Sequence, residues 1–227
     1  MCGRYTLRVS PAELAELFAV INEFDWSPRY NIAPTQTVAV VRDNRDGTGR
    51  ELALLKWGLI PSWAKDPKIA SSLINARAET VAEKPAFRSA FRKRRCLIAV
   101  DGFYEWQAIA GQKTKQPYFI AVRDVPAFAF AGLAEHWTSP EGTPVDTCTI
   151  ITTTANSLMQ PIHNRMPVIV DPADYDRWLD PGNQDPNEVL PLLKPFPADR
   201  MQAVAVSTLV NSPRNESPQC VVPITDR

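Results

Sequence analysis

The chain has 227 residues, 44% hydrophobic and 22% charged, which is ordinary globular usage and excludes both a disordered chain and a coiled coil. Its 25 basic and 25 acidic residues cancel, so it is not a polycation that coats nucleic acid by net charge, although a local basic groove fits the same sum. No apolar run reaches the ~18–20 residues of a membrane helix, and the opening MCGRYTLRVS lacks the apolar stretch of a secretory signal.

These features lead us to expect a cytoplasmic protein whose cysteines, Cys2, Cys96, Cys148 and Cys220, are reduced thiols. Two histidines, His136 and His163, and no Cys-x-x-Cys pair give a zinc site too few clustered ligands, so no metal or cofactor is expected. The 21 prolines outnumber the 9 glycines, against averages of about 5% and 7%. Proline stops helices and sits at strand edges, so short elements and long ordered loops follow.

In chain order, residues 2–7 read as an extended segment entering the core. Ser10-Pro11-Ala12-Glu13 is a capping box with proline at the first helical position, and Leu14, Leu17, Phe18 and Ile21 follow at helical spacing. Strands are expected at 37–42 and 51–57, flanking a turn at Asn44-Arg45-Asp46-Gly47. A second helix over 83–94 sets Phe87 and Phe91 on one face and Lys84, Arg88 and Arg92 on another. Further strands are expected at 96–100, 103–107, 118–122, 127–133, 147–153, 167–170 and 201–206. Asp171 caps a short helix ending near Leu179. Many short strands with few helices, and no repeat, linker or composition break, predict a single α+β domain over residues 1–227, built on a curved, largely antiparallel, barrel-like sheet.

Cys2 is the most informative residue. A small residue after the initiator lets methionine aminopeptidase remove Met1. The exposed cysteine then carries an α-amine with pKa about 7.7–8.0 and a thiol with pKa about 8.5 on adjacent carbons. The amine condenses with an aldehyde to an imine, and the thiol can close on the same carbon to give a five-membered thiazolidine. The plainer alternative is a small apolar residue packing the first strand.

Arg4, Arg29, Arg77, Arg165 and the 84–95 segment offer cationic contacts. Trp57, Trp63, Phe103, Tyr104 and Trp106 offer stacking surfaces of the kind that hold single strands. The alternative places the tryptophans in the core and Arg92-Lys93-Arg94-Arg95 at a solvated helix end. Glu105, set between aromatics, suits proton shuttling if desolvated, or else faces water. His163, between two prolines, is an acid/base candidate or an ordinary surface histidine. Asn75 can orient a substrate oxygen or cap a turn.

Six blocks in order carry a resemblance: Cys2-Gly3-Arg4-Tyr5, Arg29-Tyr30-Asn31-Ile32-Ala33-Pro34, Trp57-Gly58-Leu59-Ile60-Pro61-Ser62-Trp63, Ile74-Asn75-Ala76-Arg77-Ala78-Glu79, Asp101-Gly102-Phe103-Tyr104-Glu105-Trp106 and His163-Asn164-Arg165-Met166-Pro167. A seventh stretch, Val206-Ser207 to Val210-Asn211, also fits. Together they resemble the SRAP (SOS-response-associated peptidase) family of abasic-site processing proteins.

The resemblance implies a DNA-repair protein of the cytoplasm and nucleoid that crosslinks Cys2 to the open-chain deoxyribose of an abasic site in single-stranded DNA. It assigns ring opening and proton transfer to Glu105, a second acid/base role to His163, and the holding of residue 2 or the sugar to Asn75. Phosphate contacts fall to Arg4, Arg77 and Arg165, base packing to Trp63 and Pro34, and the lining of the backbone path to Thr152 and its neighbours 153 and 154. The competing readings are a thiol peptidase using Cys2, His163 and Asn75, and a noncatalytic single-strand binding module.

Overall fold

The computed structural model describes residues 2–44 and 48–224, so the expected turn lies outside the described residues except for Asn44. The strands are β1 (Tyr5–Leu7), β2 (Arg29–Ile32), β3 (Thr37–Asp43), β4 (Arg50–Trp57), β5 (Asn75–Arg77), β6 (Arg95–Val100), β7 (Gly102–Gln107), β8 (Gln116–Val122), β9 (Phe128–Thr138), β10 (Pro144–Thr154), β11 (Arg165–Pro167), β12 (Ile169–Val170) and β13 (Met201–Ala205). The helices are α1 (Pro11–Phe18), α2 (Arg88–Lys93), α3 (Tyr175–Leu179) and α4 (Pro186–Val189), with short 3-10 turns between elements. The mostly-strand α+β reading therefore holds.

One sheet closes on itself. Its ring runs β10-β4-β3-β6-β9 and back to β10, because β9 and β10 pair from Thr138↔Pro144 to Gly132↔Ile150. Only the β4–β10 contact in that ring is parallel, at Thr147↔Lys56 and Cys148↔Trp57. The second sheet, β13-β8-β7-β1-β2, is antiparallel throughout.

A single apolar cluster spans both sheets. All six residues of β6 are buried, which explains why this strand reads as a continuous apolar run instead of an alternating one. Rings interleave where the sheets meet: Tyr5 lies 5.4 Å from Trp57 and 6.1 Å from Phe130, and Phe130 lies 5.6 Å from Phe103.

The capping box forms as expected, with Ser10 and Glu13 bonded reciprocally. The helix it starts is shorter than the apolar spacing suggests. Ala19 turns left-handed at φ 50°, so Leu14 and Phe18 are buried while Ile21 lies outside the helix at 62% exposure. The expected 83–94 helix contracts to α2, because Pro85 cannot donate within a helix and the segment before Phe87 folds as successive turns.

The basic end of that helix is not uniformly solvated. Arg92 and Lys93 are exposed and Arg94 pairs with Glu135 at 2.7 Å. Arg95 is buried, its guanidinium donating to the carbonyls of Phe91, Arg92, Trp178, Asp180 and Asn183. It ties the end of α2 to the loop after α3, a structural task.

Candidate active site at the seam of the two sheets

The amino-terminal segment runs along β7, with the Tyr104 amide donating to the Arg4 carbonyl at 2.9 Å and Tyr5 opposite Phe103. That pairing sets Cys2 and Glu105 side by side at the seam. Asp101 fixes the approach: its carboxylate accepts from the Thr6 hydroxyl and from the Arg8 amide and Nε, both at 2.8 Å. Gly102 is required by close packing, since a Cβ there would run into the Phe119 ring and come within 3.1 Å of the Ile120 carbonyl.

From the barrel side, β10 reaches the seam carrying a short strand on each flank. β5 pairs with it in parallel, Ile150↔Asn75 and Thr152↔Arg77, and β11 pairs antiparallel, Thr154↔Arg165. Asn75 thereby meets the amino-terminal segment, its Nδ2 donating to the Cys2 carbonyl at 2.9 Å while its Oδ1 is buried without a partner among the described residues.

His163 sits in the turn before β11. Its backbone amide bonds to the carbonyl of buried Met159 at 2.8 Å, and Gln107, at the end of β7, donates to Pro161 at 3.0 Å and holds this loop near Glu105. His163 Nδ1 lies 3.0 Å from the Arg165 amide and 3.2 Å from the Arg165 carbonyl, so the backbone of Arg165 orients the ring.

Cys2 and Glu105 are both buried, at 0% and 3% exposure. Burial pushes the Cys2 thiol well above its ordinary pKa, the nearby Glu105 charge adds to the rise, and the Arg4 backbone amide opposes it. Burial likewise raises the Glu105 carboxyl, with His163 pulling the other way. The Glu105 carboxyl, which would be anionic in water, is thus biased toward its neutral form, and the Cys2 thiol is held protonated.

The remaining expected residues divide. Arg77 is exposed, and its guanidinium makes no hydrogen bond or ion pair among the described residues. Arg165 is clamped: it holds Glu79 through both nitrogens at 2.5 and 3.0 Å and donates to the Thr152 carbonyl at 2.7 Å. Those bonds lower the Glu79 carboxyl below its usual range.

Arg4 is half-buried and already occupied. Its Nη1 donates to Asn31 Oδ1 at 2.6 Å and to the Val210 carbonyl at 2.8 Å, its Nη2 reaches the Asn211 carbonyl at 3.3 Å, and its guanidinium lies 5.7 Å from the Trp106 ring centre.

Thr152 is fully buried, its hydroxyl donating to the Ala76 carbonyl at 3.3 Å, and of the three threonines only Thr154 is exposed. Among the candidate stacking surfaces, Trp57, Phe103 and Tyr104 are core residues, which leaves half-buried Trp106 and exposed Trp63. Trp63 tops a loop pinned by Trp137 Nε1 on the Ala64 carbonyl at 2.7 Å. Pro34 precedes Thr35, a β-branched residue at φ 73°, and the turn is locked by Gln36 accepting from Ala33 and Arg29. No described contact joins Pro34 or Trp63 to Cys2.

Sequence reading missed the clasp that organises Arg4. Asn31 is fully buried, and besides accepting from Arg4 its Nδ2 donates to the carbonyls of Val210, Ser212 and Asn215. Glu216 accepts from the Tyr30 and Asn31 amides and from Arg29 Nε. An asparagine inside the otherwise apolar-flanked Tyr30-Asn31-Ile32 strand was the available signal.

A buried thiol at residue 2, a buried carboxylate beside it, a histidine in the loop before β11 and cationic strand ends meet at this seam. The family model described as SOS response associated peptidase (SRAP) matches residues 1–213, and the chain belongs to that family.

Among its relatives, the abasic site processing protein YoqW of Bacillus subtilis is 48% identical over 97% of this chain and 99% of its own. The abasic site processing protein HMCES of Gallus gallus is 34% identical over 99% of this chain and 78% of its own. A solved structure from Bacteroides thetaiotaomicron superposes with a TM-score of 0.89 at 28% identity, covering 99% and 100% of the two chains.

Proposed function

We propose that this chain processes abasic sites in single-stranded DNA by covalent capture on Cys2, working in the cytoplasm on damaged DNA of the nucleoid. Met1 leaves first, removed by an aminopeptidase or by a peptidase-like step of the chain itself, which frees the Cys2 α-amine. The observation that carries the reading is the buried Glu105 carboxylate set against buried Cys2. A cysteine serving only as packing would not be given a desolvated acid as neighbour, because burying that carboxylate is costly.

In the proposed reaction Glu105 and His163 move protons as the deoxyribose ring opens to its aldehyde. The amine adds to C1′ and one water leaves, giving an imine. The thiol's electron pair then adds to the imine carbon while its proton passes to the nitrogen, closing the thiazolidine. The net change is the loss of one water. Ring closure removes the imine that would otherwise acidify the adjacent sugar proton and break the strand by β-elimination. Asn75 holds the residue 2 carbonyl still during this sequence. Arg77 is free to take a phosphate, and Arg165, on the opposite flank of β10, takes one by exchanging Glu79 for it.

Intact mass spectrometry before and after incubation with an abasic single-stranded oligonucleotide tests this. Protein lacking Met1 should gain the mass of the oligonucleotide less one water. Cys2→Ala should give an adduct only when borohydride traps the imine, together with nicked strand. An unchanged stable adduct from Cys2→Ala, or none from processed wild-type protein, overturns the mechanism. Peptide hydrolysis without any DNA adduct selects the thiol peptidase.

A further inference from the structure

We propose that Lys84, Arg88 and Arg92, with Lys93 beside them, form a phosphate track along which the DNA strand flanking the lesion leaves the site. This rests on the DNA reading above and adds a surface that the catalytic constellation does not use.

The placement follows from backbone bonds. The Thr80 amide bonds to the carbonyl of Arg77, the Lys84 amide to that of Thr80, and the Arg88 amide to that of Lys84, at 3.1, 3.0 and 2.9 Å. From Arg88 the spiral continues as α2. The cations at 84, 88 and 92 therefore follow one another at four-residue spacing, and the row begins two turns beyond Arg77 at the seam. At about 1.5 Å per residue or more, the path from residue 77 to 92 covers on the order of 20 Å, enough to follow several nucleotides.

The opposite face of the same turns carries Phe87, Ala90 and Phe91, all buried, so packing fixes the row facing outward. Lys84, Arg88, Arg92 and Lys93 are exposed, and their side chains make no hydrogen bond or ion pair among the described residues. Arg88, Ser89, Arg92 and Lys93 line an open cleft of about 290 Å³.

The charge is one-signed. No carboxylate occurs in sequence between Glu83 and Asp101, while six cations do. Two of the six are accounted for: Arg94 by Glu135 and Arg95 by buried carbonyls. In a chain of zero net charge, four uncompensated cations on consecutive turns leading from the site match a phosphodiester backbone better than any uncharged or cationic partner.

The test uses the full chain and the combined variant Lys84→Ala, Arg88→Ala and Arg92→Ala, with Lys113→Ala and Lys115→Ala as a charge control from the exposed β7–β8 loop. Binding to abasic single strands of about 5 and about 25 nucleotides is measured across a salt series. For the longer strand the triple variant should bind at least tenfold more weakly at low salt. Its slope of log K against log salt should fall by about 2, the value for three single-strand phosphate contacts. Binding of the short strand, and the rate of its adduct formation at saturation, should stay within twofold of wild type. An unchanged slope on the longer strand, or an equal loss in the lysine control, overturns the track. Loss of adduct on both strands from wild-type protein would instead sink the reading on which it rests.

Discussion

Two stretches of β10 lie a few residues apart and are treated differently. Around Cys148, Ile150 and Ile151 the strand is walled by β9 and by the barrel core, and burial is complete. Pairing with β9 ends at Ile150, β5 pairs with residues 150–152 and β11 with 152–154, bringing Asn75, Arg77 and Arg165.

Several buried polar atoms without hydrogen-bond partners among the described residues lie on the strands that meet there, Tyr5 Oη on β1, Asn75 Oδ1 on β5, Thr149 Oγ1 on β10 and Arg165 Nε on β11, while Thr80 Oγ1 and Arg94 Nε lie outside these strands. Each such atom costs roughly 1–3 kcal/mol. The strands at the seam thus carry most, though not all, of this cost. What this teaches is that unsatisfied polar chemistry gathers where the two sheets meet, offset by the apolar burial of the closed ring beside it.

The sharpest break of that comparison is Glu105→Gln. An amide cannot shuttle protons, so adduct formation at neutral pH should slow by about 10²–10⁴-fold. Stability should move the other way. A carboxyl whose pKa is raised by folding favours the fold while protonated, and that advantage is lost as pH rises through the folded pKa. Thermal melts of wild type and variant should therefore separate on going from about pH 4 toward neutrality, with the glutamine form becoming the more stable. A variant less stable than wild type at neutral pH would make Glu105 a structural residue and dissolve the contrast.

Ile150→Ala probes the barrel side. Deleting this fully buried side chain should cost about 2–5 kcal/mol in denaturant unfolding. Adduct formation per folded molecule should stay within twofold, because Asn75 and Cys2 are held by backbone pairing and side-chain bonds that the change leaves in place. A tenfold loss of rate in fully folded protein would show that barrel and seam are not separable.

What the sequence made legible follows the same division. Strands buried in the ring, such as β6 and β9, are long enough and apolar enough to announce themselves. The capping box at Ser10 is a local device, and it formed as read. The strands β2 and β5 were missed because they are four and three residues long and are defined by partners far along the chain, Asn75 opposite Ile150 for instance.

Closure of the barrel through β9, β10 and the parallel β4 contact is likewise a product of long-range pairing. Residue types alone nominated Cys2, Glu105 and His163, and burial then separated Thr152 and Trp57 from the residues that face solvent. The fate of each arginine was not legible. Arg4, Arg95 and Arg165 are occupied by carbonyls and carboxylates distant in sequence, whereas Arg77 and the α2 row are not.

The smallest effect is expected at Asn31, where the comparison is finest because one side chain serves both purposes. Its Oδ1 receives Arg4, next to the reactive segment, and its Nδ2 closes the clasp of residues 210–215. Asn31→Ala removes both and should cost about 1–3 kcal/mol of stability and a few-fold in adduct rate. Asn31→Asp keeps an acceptor for Arg4 but turns the donor toward three carbonyls into a second acceptor. If the two functions are distinct, the aspartate variant should lose stability like the alanine variant while keeping most of the wild-type rate at saturating DNA. Equal loss of rate in both variants, at matched folded fractions, would mean that the clasp itself and not the Arg4 tether keeps the amino-terminal segment in register with Glu105.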